Sequence, residues 1–155
     1  MTSRTDPQSL GFLLTDISRL LRADFERRIN RAGLGMTAGE ARTLLRIDAL
    51  SGCRQNTLAE NMSIEPMTVC RYVDRLEAQE LAMREPDPVD RRAKIVTLTD
   101  AGRVMVDRIR EHTAEMLEDL QTGLDPDQRK ALKLGLLTLR ENLTAFNDLP
   151  ALANG

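Results

Sequence analysis

The tightest constraint on this chain is a gap of three residues. Gln55 to Met62 and Pro66 to Gln79 both read as helices, and only Ser63-Ile64-Glu65 lies between them. Ala59, four residues before Ser63, is small enough to let two helices approach, and Val69 falls ten residues later on the inner face of the second. That spacing describes a helix-turn-helix. Pro66 suits the first helical position, where no N–H is needed. Projected at about 3.6 residues per turn, Val69, Val73 and Leu76 share one face of the second helix, with Tyr72 at its edge. The opposite face carries Met67, Thr68, Arg71, Asp74, Arg75 and Ala78. A small hydroxyl followed by two guanidiniums suits a major groove, where one arginine can bind guanine O6 and N7 bidentately. Asp74, three residues after Arg71, is expected to hold that side chain in place. The other reading of the same face is an ordinary solvated surface.

The flanking segments are also helical. Leu10, Leu13, Leu14, Ile17, Leu21 and Phe25 keep the spacing of an amphipathic helix running to about Ile29, stopped by Gly33 and Gly35. Thr37-Ala38-Gly39-Glu40 has the Thr-x-x-Glu pattern of a capping box, opening a helix that ends at Ser51-Gly52. Pro86 and Pro88 flank Asp87 in a segment that cannot be helical, and Lys94 to Leu98 carries Ile95, Val96 and Thr97, so a two-stranded hairpin is expected. Thr99 caps a long helix to about Gln121. Asp125-Pro126-Asp127-Gln128 starts a last one reaching Phe146, and the tail Leu149 to Gly155 is expected to fray. Leu132, Leu136, Leu139, Leu143 and Phe146 form one stripe on that last helix, widened by Leu134 and Leu137. A stripe so wide needs more cover than one contact provides, which predicts a homodimer through the first and last helices; burial inside a monomer is the alternative.

Charge complicates a nucleic-acid reading. The 155 residues carry 22 basic against 24 acidic side chains, and a net acidic chain, taken alone, argues against such a partner. Residues 100–128 hold most of the imbalance, three basic against eight acidic, but residues 51–99 still hold seven against eight. Binding would therefore rest on a few placed arginines. No apolar run reaches 18 residues and Met1 to Gln8 is short and polar, so neither a membrane span nor a secretory signal is expected and the cytoplasm is the expected compartment. Cys53, Cys70 and the single His112 show no metal spacing, and no nucleophile-base pair, carboxylate dyad or phosphate loop suggests an enzyme or a cofactor. His112 and the basic group Arg22, Arg27, Arg28 and Arg31 read as solvated.

At these residues the chain resembles the MarR/SlyA group of dimeric winged helix-turn-helix regulators. The resemblance runs from Gly11-Phe12-Leu13-Leu14 to the final helix and is densest from Leu34 to Thr99: Leu34-Gly35-Met36-Thr37, Leu58-Ala59-Glu60, Ile64 to Arg71, Asp74-Arg75-Leu76-Glu77, and Asp90-Arg91-Arg92-Ala93-Lys94 running to Leu98-Thr99. It implies a mainly α fold with a small β-hairpin wing, one domain over 1–155, a DNA-binding lobe at 37–99, and dimerisation helices at 8–31 and 100–147. It further implies that Thr68 and Arg71 reach base edges and Arg75 lies nearer the backbone. Arg92 at the wing tip would enter the minor groove, oriented by Asp90, while Arg91 and Lys94 serve phosphates. The partners implied are a double-stranded, pseudo-palindromic DNA operator, a second copy of the chain, and a small inducer, often an aromatic acid, in a cleft between the dimerisation helices and the lobe. The pocket residues stay unassigned, and repression or activation stays open. A redox-responsive regulator and a helical interaction module without DNA contact are the other readings.

Three positions depart from the pattern. Ser63 stands where a turn glycine is common, Glu80 where a helix-ending glycine is usual, and Cys70 replaces a common Thr or Ser. Cys70 flanks the recognition face, where oxidation would add bulk and polarity beside DNA; as a small apolar filler it would be inert. Cys53, in a Gly-flanked loop, admits the same two readings.

Overall fold

The computed structural model describes residues 4–148. Its elements are α1 (Leu10–Ala32), α2 (Ala38–Ala49), β1 (Cys53–Arg54), α3 (Gln55–Met62), α4 (Pro66–Ala78), β2 (Ala82–Pro86), β3 (Lys94–Leu98), α5 (Asp100–Leu120) and α6 (Pro126–Asp148). The tail expected to fray, Leu149 to Gly155, lies outside the described residues. The chain divides into two compact units, Met1–Met116 and Leu117–Gly155, with the boundary inside α5.

Local chemistry starts the helices where the spacing requires. The Thr37 hydroxyl accepts from the Glu40 N–H at 3.2 Å, and the Glu40 carboxylate accepts from the Thr37 N–H at 3.0 Å, so both halves of the capping box of α2 are made. In the second unit Asp125 and Gln128 repeat the exchange at the start of α6. Thr99 caps α5 by accepting the Gly102 N–H at 3.0 Å.

The first unit closes around one core. Val69, Val73 and Leu76 of α4 are fully buried with Leu44 and Ile47 of α2, Leu58 of α3, Val96 of β3 and Ile109 of α5, while Phe25 and Ile29 bring α1 onto the same cluster. Ala59 is buried as the close approach of α3 and α4 requires.

The expected hairpin is present but incomplete as a description. β2 and β3 pair antiparallel from Ala82 opposite Leu98 to Pro86 opposite Lys94, and β1 adds a third strand on the far side of β3, with Cys53 opposite Val96 and Arg54 opposite Ile95. A strand of two residues is too short to show a period-two pattern, so it reads as a loop in sequence.

Both turns that lack a glycine form nonetheless. Ser63 adopts the left-handed conformation (φ 52°) between α3 and α4, and Glu80 does so (φ 58°) after α4. The Glu80 carbonyl accepts the Thr99 hydroxyl at 2.6 Å, and the neighbouring Leu81 carbonyl accepts the Thr99 N–H at 3.1 Å. Left-handed backbone costs an L-residue about 1–2 kcal/mol, of which the extra unfolded freedom of glycine would return about 0.5–1. Glu80→Gly is therefore expected to raise unfolding free energy by about 0.5–1 kcal/mol, read from the urea midpoint at constant slope. An unchanged or lower midpoint would show that the turn carries no strain.

Candidate nucleic-acid interface

Three buried residues on one face of α4 turn the other face outward. Arg71 is exposed and makes no hydrogen bond or ion pair among the described residues, while Thr68 beside it is half-buried and Met67 is 73% exposed. The expected brace between Asp74 and Arg71 is not made. Asp74 instead accepts from Arg84 Nη2 at 2.7 Å, and the Cys70 thiol lies 3.8 Å from its other oxygen. The reason is reach: Arg84 rises from β2 and presents a fork to several acceptors at once, whereas Arg71 offers one i, i+3 contact in open solvent.

Arg84 is the joint between helix and wing. Its guanidinium also donates to Glu77 Oε1 at 3.3 Å and to Gln55 Oε1 at 3.2 Å, and its own N–H donates to Glu77 Oε2. One half-buried cation thus ties β2 to both helices of the helix-turn-helix. Arg75, 70% exposed, has its Nε 3.4 Å from Oε1 of Glu40, which is buried at the start of α2. Part of its charge is therefore spent inside the protein, leaving the outer nitrogens for a partner.

The wing loop is organised by a residue other than the expected one. Asp90 accepts the backbone N–H of Arg92 at 3.1 Å and makes no contact with its guanidinium, so it orders the main chain rather than the side chain. The hub is Asp87, 7% exposed, which accepts Nε and Nη2 of Arg54 at 2.8 and 2.7 Å and the N–H groups of Val89 and Asp90. The Asp87 N–H closes the loop by donating to the Ala93 carbonyl at 3.0 Å. Arg91, Arg92 and Lys94 all point into solvent around this braced turn. Asp87, Arg54 and Arg84 went unread in the sequence. The one local signal was Asp87 itself, an aspartate between two prolines with amides two and three residues on.

The Val89 N–H and the Arg54 guanidinium hold the Asp87 carboxyl below the usual 3.8. A carboxyl depressed by folding supports the wing fully above 3.8 and withdraws that support as pH falls through its folded value. The Val89 and Asp90 amide resonances should therefore titrate together with a midpoint below 3.8, and Arg54→Ala should move that midpoint upward. A midpoint indifferent to Arg54 would leave the turn to the backbone contacts alone.

The two cysteines sit apart in kind. Cys53, on β1, packs against the core and burial pushes its thiol up, which makes it a poor target for peroxide. Cys70 is half-buried on α4. His112 is exposed as expected, whereas Arg27 and Arg28 both pair with Asp24 on α1. Among the described residues no cluster of His, Cys, Asp or Glu could hold a metal ion, and no helix is long and apolar enough to cross a membrane.

Residues 36–94, the span from the start of α2 to the first residue of β3, match the model of the MarR family. The fold is that of the solved transcriptional repressor CouR bound to a 23-mer DNA duplex, with a TM-score of 0.66 and 29% identity over 89% of this chain and 99% of that one. Over residues 36–94 the chain is similar to the MarR family. Its kin include the transcriptional repressor NicR of Pseudomonas putida, 32% identical over 78 residues that make up 50% of this chain and 49% of NicR. A structure of BpsR from Bordetella bronchiseptica, whose DNA binding is regulated by 6-hydroxynicotinic acid, covers 89% of this chain and 97% of its own at 25% identity and a TM-score of 0.70. The chain is thus built as a mainly helical winged helix-turn-helix and is similar to DNA-binding transcriptional regulators rather than to enzymes.

Proposed function

We propose that this protein is a homodimeric repressor of a pseudo-palindromic operator, working in the cytoplasm and released by a small organic effector. The DNA-binding lobe is 37–99, within a single MarR-like domain, and the helices at 8–31 and 100–147 pair two copies. The observation that carries the reading is the state of Arg71: a guanidinium with no internal partner, exposed beside Thr68 on the outer face of a helix whose inner face is locked in the core. Thr68 and Arg71 read base edges, the outer nitrogens of Arg75 meet the backbone, Arg92 enters the minor groove, and Arg91 and Lys94 neutralise phosphates. Asp87 and Asp90 shape the turn that presents them.

Dimerisation is supported by apolar surface that a monomer leaves wet. Leu10, Leu13 and Ile17 of α1 are each more than 40% exposed, and so, in the second unit, are Leu132, Leu136, Leu143 and Phe146 of α6. Two-fold pairing places two recognition helices about one helical turn apart on the duplex. Repression and effector control are supported by likeness to NicR and BpsR.

The test is a mobility shift on the DNA upstream of the chain's own coding sequence. Arg71→Ala is expected to cost about 1–3 kcal/mol on the operator and to relax preference at one base of each half-site. Equal loss on random DNA would contradict base reading. Arg92→Ala should weaken binding most where the flanks are A·T-rich, since a narrow minor groove concentrates negative potential. Indifference to flank composition would remove the wing contact, and affinity that did not fall with salt would favour a helical module that binds no DNA.

A further inference from the structure

Among the described residues, helices α2, α3 and α4 hide their large apolar side chains with one exception. Met67 is 73% exposed, whereas the leucines, isoleucine, valines, tyrosine and other methionine of these helices are buried or half-buried. A lone apolar residue at a surface is ordinary, and exposure by itself assigns Met67 nothing. Its position does. Met67 is the second residue of α4, straight after Pro66, and Arg71 follows it by four positions, so the two share one line along the helix. Helical side chains lean toward the N-terminus, which carries Met67 out past the first turn. The N-terminal residues of a recognition helix are the ones that reach base edges. Met67 thus stands where Thr68 and Arg71 stand, with a different chemistry to offer.

We propose that Met67 determines specificity by packing on the C5-methyl group of a thymine in the major groove, about two base pairs from the base that Arg71 binds. This rests on the DNA-binding role proposed for α4. The separation follows from two rises: four residues advance about 6 Å along a helix, and one base pair about 3.4 Å along a duplex. The identity of the base follows from what a thioether can do. It has no donor and only a weak acceptor, so the amino groups, carbonyls and ring nitrogens on the base edges offer it nothing of strength. The thymine methyl is the one apolar feature that the four unmodified bases display in that groove. Methionine, unbranched and polarisable, can fit its terminal methyl against that group without a fixed rotamer. Burying the two together removes apolar surface from water, a gain that adenine, guanine and unmodified cytosine cannot supply at the same position. Arg71 and Thr68 then read hydrogen-bonding pattern, and Met67 reads a methyl group at a neighbouring step.

Selection of bound duplexes from random-sequence DNA by the full chain defines the site, and fluorescence anisotropy on the selected duplex tests the contact. Arg71→Ala locates its own base as the position where preference is lost, and a thymine should lie about two base pairs away in each half-site. Deoxyuridine in place of that thymine removes the methyl alone. Made in both half-sites, the change should lower wild-type affinity about tenfold, close to the square of the roughly fourfold gain from burying one such group. Met67→Ala should bind the thymine and deoxyuridine duplexes equally, while Arg71→Ala should keep the deoxyuridine penalty. A cytosine at the same position should bind weakly, and 5-methylcytosine there should recover severalfold in the wild type and nothing in Met67→Ala. A deoxyuridine penalty of the same size in Met67→Ala, or a selected site in which no thymine methyl matters, overturns the assignment and leaves the DNA-binding reading standing. Failure to enrich any sequence overturns both, so the two failures are told apart.

Discussion

Gly102→Ala is expected to lower unfolding free energy by about 3 kcal/mol, the upper part of the usual range for forcing an atom into a packed site. Gly102 is buried in the first turn of α5, and a Cβ there would overlap the Leu81 carbonyl oxygen. That oxygen already accepts the Thr99 N–H. The obstacle is backbone on both sides, so no rotamer change relieves it and either α5 or the strand entering β2 must shift. The gain from replacing a helical glycine, about 1 kcal/mol, is too small to compensate. Denaturant unfolding of the purified variant measures the loss, and a midpoint within error of wild type would mean that α5 slides more easily than its packing implies.

The second large effect falls on DNA affinity, at a residue that needs no contact with DNA. Arg84 neutralises Asp74 and Glu77 on the helix that carries Arg71. Without it, two carboxylates would stand uncompensated on the face proposed to meet phosphates, and like charges brought together at an interface cost several kcal/mol. Arg84→Ala is therefore expected to lose about 2–4 kcal/mol of operator affinity, more than Arg71→Ala, and to lose it on every sequence alike. Arg84→Lys, which keeps the charge but not the fork, should fall between wild type and Arg84→Ala. Fluorescence anisotropy at one fixed salt concentration decides it: a loss no greater than that of Arg71→Ala would return Arg84 to a purely structural role.

What could be read in the sequence was chemistry that acts over three or four residues. Thr37 with Glu40, Asp125 with Gln128, Pro66 at the head of α4 and Thr99 before α5 are all contacts along the chain, and each helix begins where they place it. The inner face of α4 was legible for the same reason, because Val69, Val73 and Leu76 repeat at helical spacing. Ion pairing between distant segments has no such period. Arg54 meets Asp87 across 33 positions and Arg84 meets Asp74 across ten, and nothing local distinguishes these arginines from their solvated neighbours. The local rule even misled, since it assigned Asp74 to Arg71 when a better-placed fork from the sheet takes it.

The two hydrogen bonds from Thr99 to Glu80 and Leu81 act as a clasp across the foot of the wing. With the foot fastened, the tip between Pro88 and Arg92 can lengthen at little thermodynamic cost, since doubling a flexible loop adds only about 0.6 kcal/mol of closure entropy. The reach of the wing along the duplex is therefore free to drift in evolution, or to be lengthened by design, without any change to the helices that read the bases.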